Sequence, residues 1–331
     1  VERGELDLDA PASDVCPELA DRQVLTGFDA DSQPQLRPAA SVPTLRQFLT
    51  HTSGFGYELF NADLVRWHEV TGVAGLAANA RTKLDAPLVA DPGARWEYGI
   101  DLDWAGAMVE AVTGRRLGEY VEAHVLGPLG MTDTGYLRTE SMEARAATVH
   151  ARLPDGGLMP LPLPAPTDDT HQGGGAGLHG TATDYGRFVR MILADGSLDG
   201  ERILAPDTVA QMTVNQMADL RVRPMVSAMP HLTNDAEFFP GAPKSWGMSF
   251  QINEEPAPTG RPAGGLMWAG LANSVYWIDR TTGIGGVVLS QVLPFSDSAA
   301  MGLWTEFETA VYGAAERPAA SPSTPQSTVE R

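Results

Sequence analysis

A change in hydrophobic spacing late in the chain constrains the fold more than any other feature of the sequence. Up to about residue 217, apolar residues recur every three or four positions, which predicts helices. Later segments rich in aromatic and β-branched residues predict three strands, at residues 246–252, 266–278 and 284–291. A turn at 280–283 joins the last two, and a final helix follows at 298–313. This order is typical of a mixed α+β fold whose late strands pair antiparallel.

The same pattern divides the chain into four predicted regions. Residues 1–41 contain four prolines and little periodicity, so we expect a loop-rich segment. Residues 42–240 are expected to be mostly helical, with loops at a cleft, and residues 241–313 to supply the late strands and the last helix. Residues 314–331 contain three prolines and many Ser and Thr, which predicts a disordered tail. Helix N-caps are predicted at Thr44 and Ser298.

Composition excludes several classes of partner. The chain has 42 acidic residues against 23 Lys and Arg, for a formal net charge of −19 without a basic cluster. A nucleic-acid phosphate backbone would be repelled, so we expect no nucleic-acid partner. No run of 18 apolar residues occurs, so no membrane span is expected. The single cysteine, Cys16, allows no internal disulfide. Oligomeric state and cellular compartment stay open.

Three short segments resemble motifs of other enzyme classes, but the surrounding sequence does not fit those motifs. Residues 175–180 fit G-x-G-x-x-G, but a dinucleotide site needs a strand before this motif, and a proline-rich loop precedes it here. His68 and Glu69 begin a zinc-protease motif, but no histidine stands four residues after His68. Ser53 lacks the leading glycine of a nucleophile elbow. We therefore expect neither a cofactor nor a metal.

Three segments in a fixed order are more specific. They are residues 45–54 (LRQFLTHTSG), residues 96–135 (from WEY to GPLGMTDTG) and residues 173–178 (GGGAGL). In this order and spacing the chain resembles the β-lactamase-related serine hydrolases: class C β-lactamases, D-alanyl-D-alanine peptidases and, most closely, family VIII carboxylesterases. The resemblance covers residues 5–313. It implies a β-lactamase/transpeptidase-like fold, with an antiparallel sheet flanked by helices and a mostly helical region.

The resemblance also implies a serine nucleophile with a lysine one helical turn later, in Ser-x-x-Lys. The chain has only Lys83 and Lys244, and the residues three positions earlier are Ala80 and Gly241, so it contains no such pair. Residues 1–4 (VERG) have the composition of the last turn of a helix. In the family that helix carries the pair. We therefore expect the nucleophile, and the first strands of the sheet, to lie upstream of residue 1.

The second element of the family site is Tyr-x-Asn, of which this chain matches only Tyr98. The resemblance implies that Tyr98 acts as the general base. Ile100 stands where an amide could hold a polar group of the substrate, which weakens the β-lactamase interpretation and makes Ile100 a candidate substrate contact. Tyr98 as an ordinary half-buried packing residue is the alternative.

The third element corresponds to Trp268-Ala269-Gly270, similar to the Trp-Gly-Gly of family VIII esterases, where lactamases carry a cation. Trp268 would offer substrate an apolar wall instead of a partner for a carboxylate. Gly270 would keep the strand face open, and the backbone N–H of Leu271 would be an oxyanion donor. Gly175 is expected at the cleft as well. The alternative is that Trp268 is an ordinary core tryptophan.

These features predict the C-terminal portion of a carboxylesterase-like serine acyl hydrolase. It would act on a small-molecule ester or amide through an acyl-enzyme and would be inactive as these 331 residues alone. A β-lactamase or D-amino-acid peptidase is one alternative. A non-catalytic binding homologue is the other.

Overall fold

The computed structural model describes residues 1–76, 81–162, 167 and 171–315. Its helices are α1 (Leu45–Leu49), α2 (Ala62–Thr71), α3 (Asp101–Thr113), α4 (Leu117–Val121), α5 (Glu140–Ala144), α6 (Ala182–Leu193), α7 (Pro206–Met212) and α8 (Ser298–Ala315). Its strands are β1 (Gln23–Phe28), β2 (Pro34–Pro38), β3 (Val149–Arg152), β4 (Leu158–Leu161), β5 (Ser197–Leu198), β6 (Glu201–Arg202), β7 (Lys244–Trp246), β8 (Gln251–Asn253), β9 (Leu266–Ala269), β10 (Val275–Asp279), β11 (Ile284–Val288) and β12 (Val292–Leu293).

The late strands form one antiparallel sheet in the order β11-β10-β9-β8-β7. The predicted antiparallel pairing is confirmed, and so is the turn between β10 and β11. The predicted bounds of the first two strands are wrong, because each segment folds into a hairpin of two strands. Ser249 (φ +70°) lies between β7 and β8, and Asn273 (φ +64°) between β9 and β10. At both positions the left-handed backbone reverses a segment whose composition is that of a continuous strand.

The N-terminal region contains more regular structure than its sequence predicted. Within residues 1–41, β1 and β2 pair antiparallel, with a register shift between Leu25 and Gly27. Prolines stand at both ends of β2, a position that a strand at the edge of a sheet tolerates, and they obscure the strand signal. The division into four regions stays a prediction. Most of the predicted disordered tail, residues 316–331, lies outside the described residues.

Helix ends follow local capping chemistry. Thr44 caps α1 as predicted, in a capping box with Gln47. The predicted cap of the last helix is wrong: Ser298 is its first residue, and the Asp297 carboxylate accepts from Ala300 N–H at 3.0 Å. Gly4 has a left-handed backbone (φ +71°), as is common for a glycine that follows the last turn of a helix, and its N–H donates to Val1 O at 2.8 Å.

The sheet is covered on both faces. Alternate residues of β9 and β10 point to opposite sides, as the two-residue period of a strand requires. Leu266 and Ile278 pack with residues of α6, while Met267 and Trp277 pack with residues of α8. A further core cluster surrounds α1 and α3. Three partly buried side chains, Phe60, Tyr98 and Leu271, pack against both this cluster and the α8-side cluster, so they mark the seam where the helical region meets the sheet.

A pair of glycine substitutions tests this packing. Gly286 lies opposite Trp277 in the β10–β11 register, and a Cβ there would overlap the indole. Gly286→Ala should therefore lower the free energy of unfolding by about 1–3 kcal/mol. Gly302→Ala, in α8 with no heavy atom within 4 Å of its Cβ position, should raise it by up to about 1 kcal/mol. Urea denaturation measures both, and equal stabilities would contradict the described packing.

Candidate active site

Tyr98 lies at the seam, three residues before the first residue of α3. Its backbone carbonyl accepts from Tyr57 N–H at 3.2 Å, and the neighbouring Glu97 N–H donates to His51 O at 2.8 Å. The half-buried phenol ring lies between three other rings, with centroid distances of 4.7 Å to His51, 5.4 Å to Tyr57 and 4.8 Å to Trp268. The backbone and the ring contacts together leave Tyr98 little freedom to reorient.

Trp268 contacts Tyr98 directly, which the prediction of an apolar wall did not include. It projects from β9, and its indole Nε1–H donates to Tyr98 Oη at 3.1 Å. Its ring also packs edge-on against Phe238 at 5.6 Å and Trp246 at 4.6 Å. The sheet and the helical region therefore meet in a hydrogen bond between two predicted site residues. Such a bond leaves the phenol oxygen able to donate its own proton elsewhere.

The surroundings of Tyr98 favour its protonated form. Burial raises the pKa of Tyr98 to about 12, the hydrogen bond from Trp268 opposes this rise, and the carboxylates of Asp103 and Asp101 add to it. At neutral pH the side chain is therefore a phenol. It could serve as a base only when a positive charge nearby stabilises the phenolate.

The turn after β9 contains a backbone donor that has no acceptor among the described residues. Gly270 N–H donates to Ser274 O at 2.8 Å, and Asn273 N–H donates to Gly270 O at 2.9 Å, so both ends of the turn are fixed. The N–H of Leu271, between them, reaches no acceptor in the described parts of the chain. No heavy atom lies within 4 Å of the Cβ position of Gly270, and Ala269 beside it is half-buried. The strand face is therefore open where an oxyanion donor was predicted.

The other two predicted substrate contacts are placed differently. Ile100 is 3% exposed, belongs to the core around α3 and occupies the N-cap position of that helix. It presents almost no surface to a ligand, because local helix geometry turns it inward. Gly175 packs on the first turn of α3, where its N–H donates to Asp103 Oδ1 at 3.2 Å. Its contact is with a buried carboxylate beside the seam.

Sequence reasoning missed a buried polar network behind Tyr98. Asp101, 0% exposed, accepts from Ser53 Oγ and lies with Oδ2 3.0 Å from His51 Nδ1. Burial raises the pKa of Asp101, and the bonds from His51 and Ser53 oppose this rise. His51 Nε2 is buried and has no partner within the described ranges. The available signals were the HTSG segment itself and a carboxylate three residues after Tyr98. Lys83 and Asp103 form a second missed pair, at 3.0 Å.

Two other kinds of site are absent from the described residues. No group of three or more His, Cys, Asp or Glu there could hold a metal ion. No helix in those same ranges is long and apolar enough to cross a membrane.

Comparisons with known proteins place this geometry in a family. The family model described as Beta-lactamase matches residues 1–310. Monacolin J acid methylbutanoyltransferase of Aspergillus terreus is 30% identical over 323 residues, covering 94% of this chain and 77% of the relative. Lovastatin esterase of Penicillium rubens is 28% identical over 328 residues, covering 94% and 80%. The solved structure of unliganded simvastatin synthase (LovD) from Aspergillus terreus has a TM-score of 0.80 at 29% identity, covering 96% and 80%. The predicted β-lactamase/transpeptidase-like fold is confirmed.

The indole–phenol bond is testable by titration. Incorporated 3,5-difluorotyrosine brings tyrosine ionisation into a mild pH range, and Tyr98→Phe assigns its ¹⁹F signal among the seven tyrosines. Trp268→Phe should raise the pKa of this residue by about one unit, because a donor to the phenolate is lost.

Trp96→Phe is the matched control. The Trp96 ring stacks beside Tyr98 at 6.3 Å, but its Nε1 has no hydrogen-bond partner in the described ranges. This variant should leave the pKa of Tyr98 unchanged. Equal shifts in the two variants would show that ring packing, and not the hydrogen bond, sets the pKa.

Proposed function

The chain belongs to the β-lactamase family, and from this premise we propose that it serves acyl transfer from small-molecule esters through a serine acyl-enzyme. The described residues would contribute the tyrosine and one oxyanion donor. The observation that carries the proposal is the Trp268–Tyr98 hydrogen bond beside the N–H of Leu271, which has no acceptor among the described residues. A proton carrier and an oxyanion donor are the two groups that ester cleavage by a hydroxyl nucleophile requires.

Tyr98, starting as a phenolate stabilised by a nearby cation, would relay one proton in each half-reaction. In acylation the serine Oγ bonds to the ester carbonyl carbon while its proton passes to Tyr98 Oη. The C–O bond to the leaving alcohol then breaks, and that alcohol takes the proton from Tyr98. In deacylation the oxygen of water or of a second alcohol bonds to the acyl carbon while Tyr98 accepts its proton. The bond from that carbon to the serine Oγ then breaks as Tyr98 returns the proton to Oγ. The Leu271 N–H would donate to the carbonyl oxygen as negative charge develops there.

The surroundings of Tyr98 favour esters over β-lactams. The residue that donates to Tyr98 from β9 is an indole and not a cation, so a substrate carboxylate gains no ion pair there. Phe60 and Leu271 add partly buried apolar surface at the seam. The names of two relatives, a methylbutanoyltransferase and an esterase, describe transfer or cleavage of an ester acyl group. We propose the same class of reaction for this chain.

The 331 residues alone would not form an acyl-enzyme. They contain no Ser-x-x-Lys, and Lys83 is already engaged by Asp103 at 3.0 Å. With a pKa of about 12, Tyr98 needs an additional cation before it can act as a base near neutral pH. A non-catalytic binding homologue is the competing proposal, and the absence of the Ser-x-x-Lys pair is the observation that favours it.

A covalent probe tests the inactivity of the 331 residues. We expect a fluorophosphonate probe to label no specific serine of a protein with this sequence, because no serine here has a lysine one turn later. The digested protein is mapped by mass spectrometry. Stoichiometric labelling of one serine would overturn this expectation.

The coding sequence before residue 1 separates an enzyme from a binding homologue. If it encodes Ser-x-x-Lys, the protein extended to include it should turn over p-nitrophenyl esters faster than nitrocefin. Tyr98→Phe should then lower ester turnover by about 10²- to 10⁴-fold, since the proton carrier is removed. Tyr120→Phe, on α4 against His124, is the control that should retain activity. An open frame without Ser-x-x-Lys, or full activity in Tyr98→Phe, would contradict the proposal.

A further inference from the structure

A buried ion pair is linked to the proposed proton carrier through Tyr57. Asp103, in the first turn of α3, and Lys83, in the turn Arg81–Asp85, are 1% and 3% exposed. Lys83 Nζ lies 3.0 Å from Asp103 Oδ2. Desolvation of both charges largely offsets their attraction, so such a pair is a weak source of net stability. The other contacts of Asp103 indicate a second role for the ion pair.

The Asp103 carboxylate contacts two other segments on one side of the seam. Its Oδ1 accepts from Gly175 N–H at 3.2 Å, and Tyr57 Oη lies 3.5 Å from Oδ2. The glycines of the 173–175 turn are required by this packing. A Cβ on Gly173 would overlap the Asp103 carboxylate, and one on Gly175 would lie 2.8 Å from Tyr57 Oη. One carboxylate therefore holds both the turn and the tyrosine.

Tyr57 connects this side of the seam to the proposed proton carrier. Its N–H donates to Tyr98 O at 3.2 Å, and the two rings lie 5.4 Å apart. Burial raises the pKa of Tyr57 well above its ordinary range, and the charge of Asp103 adds to this rise. Tyr57 therefore remains a phenol that can donate to Asp103 while it packs against Tyr98.

We propose that Lys83 and Asp103 are positioning residues for Tyr98. Their ion pair holds Tyr57 and the 173–175 turn in place and cancels one of the two carboxylate charges next to the phenol. This inference rests on the proposed role of Tyr98 in acyl transfer. Its test measures the ionisation of Tyr98 and requires no catalysis.

The proposal makes one claim that a purely structural ion pair would not support: Lys83 and Asp103 set the net charge near the Tyr98 phenol. The ionisable groups near the Tyr98 phenol come from several elements: Asp101 and Asp103 from α3, His51 from the segment after α1, Tyr57 from the segment before α2, and Tyr276 from β10. Lys83 reaches this group through Asp103. Removing either member of the pair should therefore change the charge beside Tyr98 in opposite directions.

The experiment is a ¹⁹F titration of difluorotyrosine at position 98 in the 331-residue protein. Lys83→Met should raise its pKa by about one unit, because Asp103 is left uncompensated, and Asp103→Asn should lower it by a similar amount. The double variant Lys83→Met/Asp103→Asn should return to within about 0.3 units of the parent. Lys83→Arg, which keeps the charge, should also match the parent.

Hydrogen exchange tests the positional part of the proposal. In Lys83→Met the Gly175 N–H should exchange at least about tenfold faster, because the Asp103 carboxylate that accepts from it is no longer fixed by Lys83. The Gly264 N–H, bonded to Asn253 O at 2.7 Å in the sheet region, is the control that should not change. If one single variant fails to fold, the other still decides the question: Lys83→Met must raise the pKa of residue 98, or Asp103→Asn must lower it, while Lys83→Arg and the double variant serve as charge-conserving controls.

The outcomes separate this inference from the proposed function. Shifts of the same sign in the two single variants, or no shift in either, would overturn the inference even if Tyr98→Phe abolishes turnover in an extended protein. Opposite shifts combined with full activity in Tyr98→Phe would uphold the charge balance and overturn the proposed function. A purely structural pair would lower the free energy of unfolding in both single variants without opposite shifts at Tyr98.

Discussion

Two buried carboxylates in the first turn of α3 hold the site together. Asp101 binds His51 and Ser53, and Asp103 binds Lys83 and the Gly175 amide. Unpaired N–H groups at a helix N-terminus favour negative charge, so α3 lowers the cost of burying both carboxylates. Three segments thus contact the first turn of α3: the HTSG segment, the turn that holds Lys83, and the 173–175 turn. Tyr98 lies three residues before the first residue of α3 and is positioned by this helix start.

The opposite side of the site comes from the sheet. Strand β9 lies in the sheet, with α6 packed on one face and α8 on the other. Trp268 extends from β9 to the seam, and the turn after β9 contains the Leu271 N–H. The indole N–H donates across the seam to the phenol. The site therefore depends on two separately packed bodies: a helix start that orients Tyr98, and a hairpin that supplies the donors. A change in the packing of either body would alter the distance between them.

Most of the fold class could be predicted from the sequence, and the errors have local causes. The antiparallel late strands and the Thr44 cap depend on side-chain pattern and neighbouring chemistry, which sequence displays directly. The hairpin turns at Ser249 and Asn273 were missed because left-handed backbone at these residues is a tertiary outcome. Strand β2 was missed because prolines bound it. Trp268 was predicted as an apolar wall, since composition does not reveal where an indole N–H points.

The sequence by itself determined that a Ser-x-x-Lys pair is absent from these residues, because two lysines can be checked one by one. It also determined the family resemblance and the candidates Tyr98, Trp268 and Leu271. Only the tertiary structure decided that Lys83 pairs with Asp103, that His51 pairs with Asp101, and that Ile100 is in the core. These partners lie far apart in the chain. Their contact is set by how α1, α3 and the 173–175 turn pack, and the need to pair buried charges selects that packing.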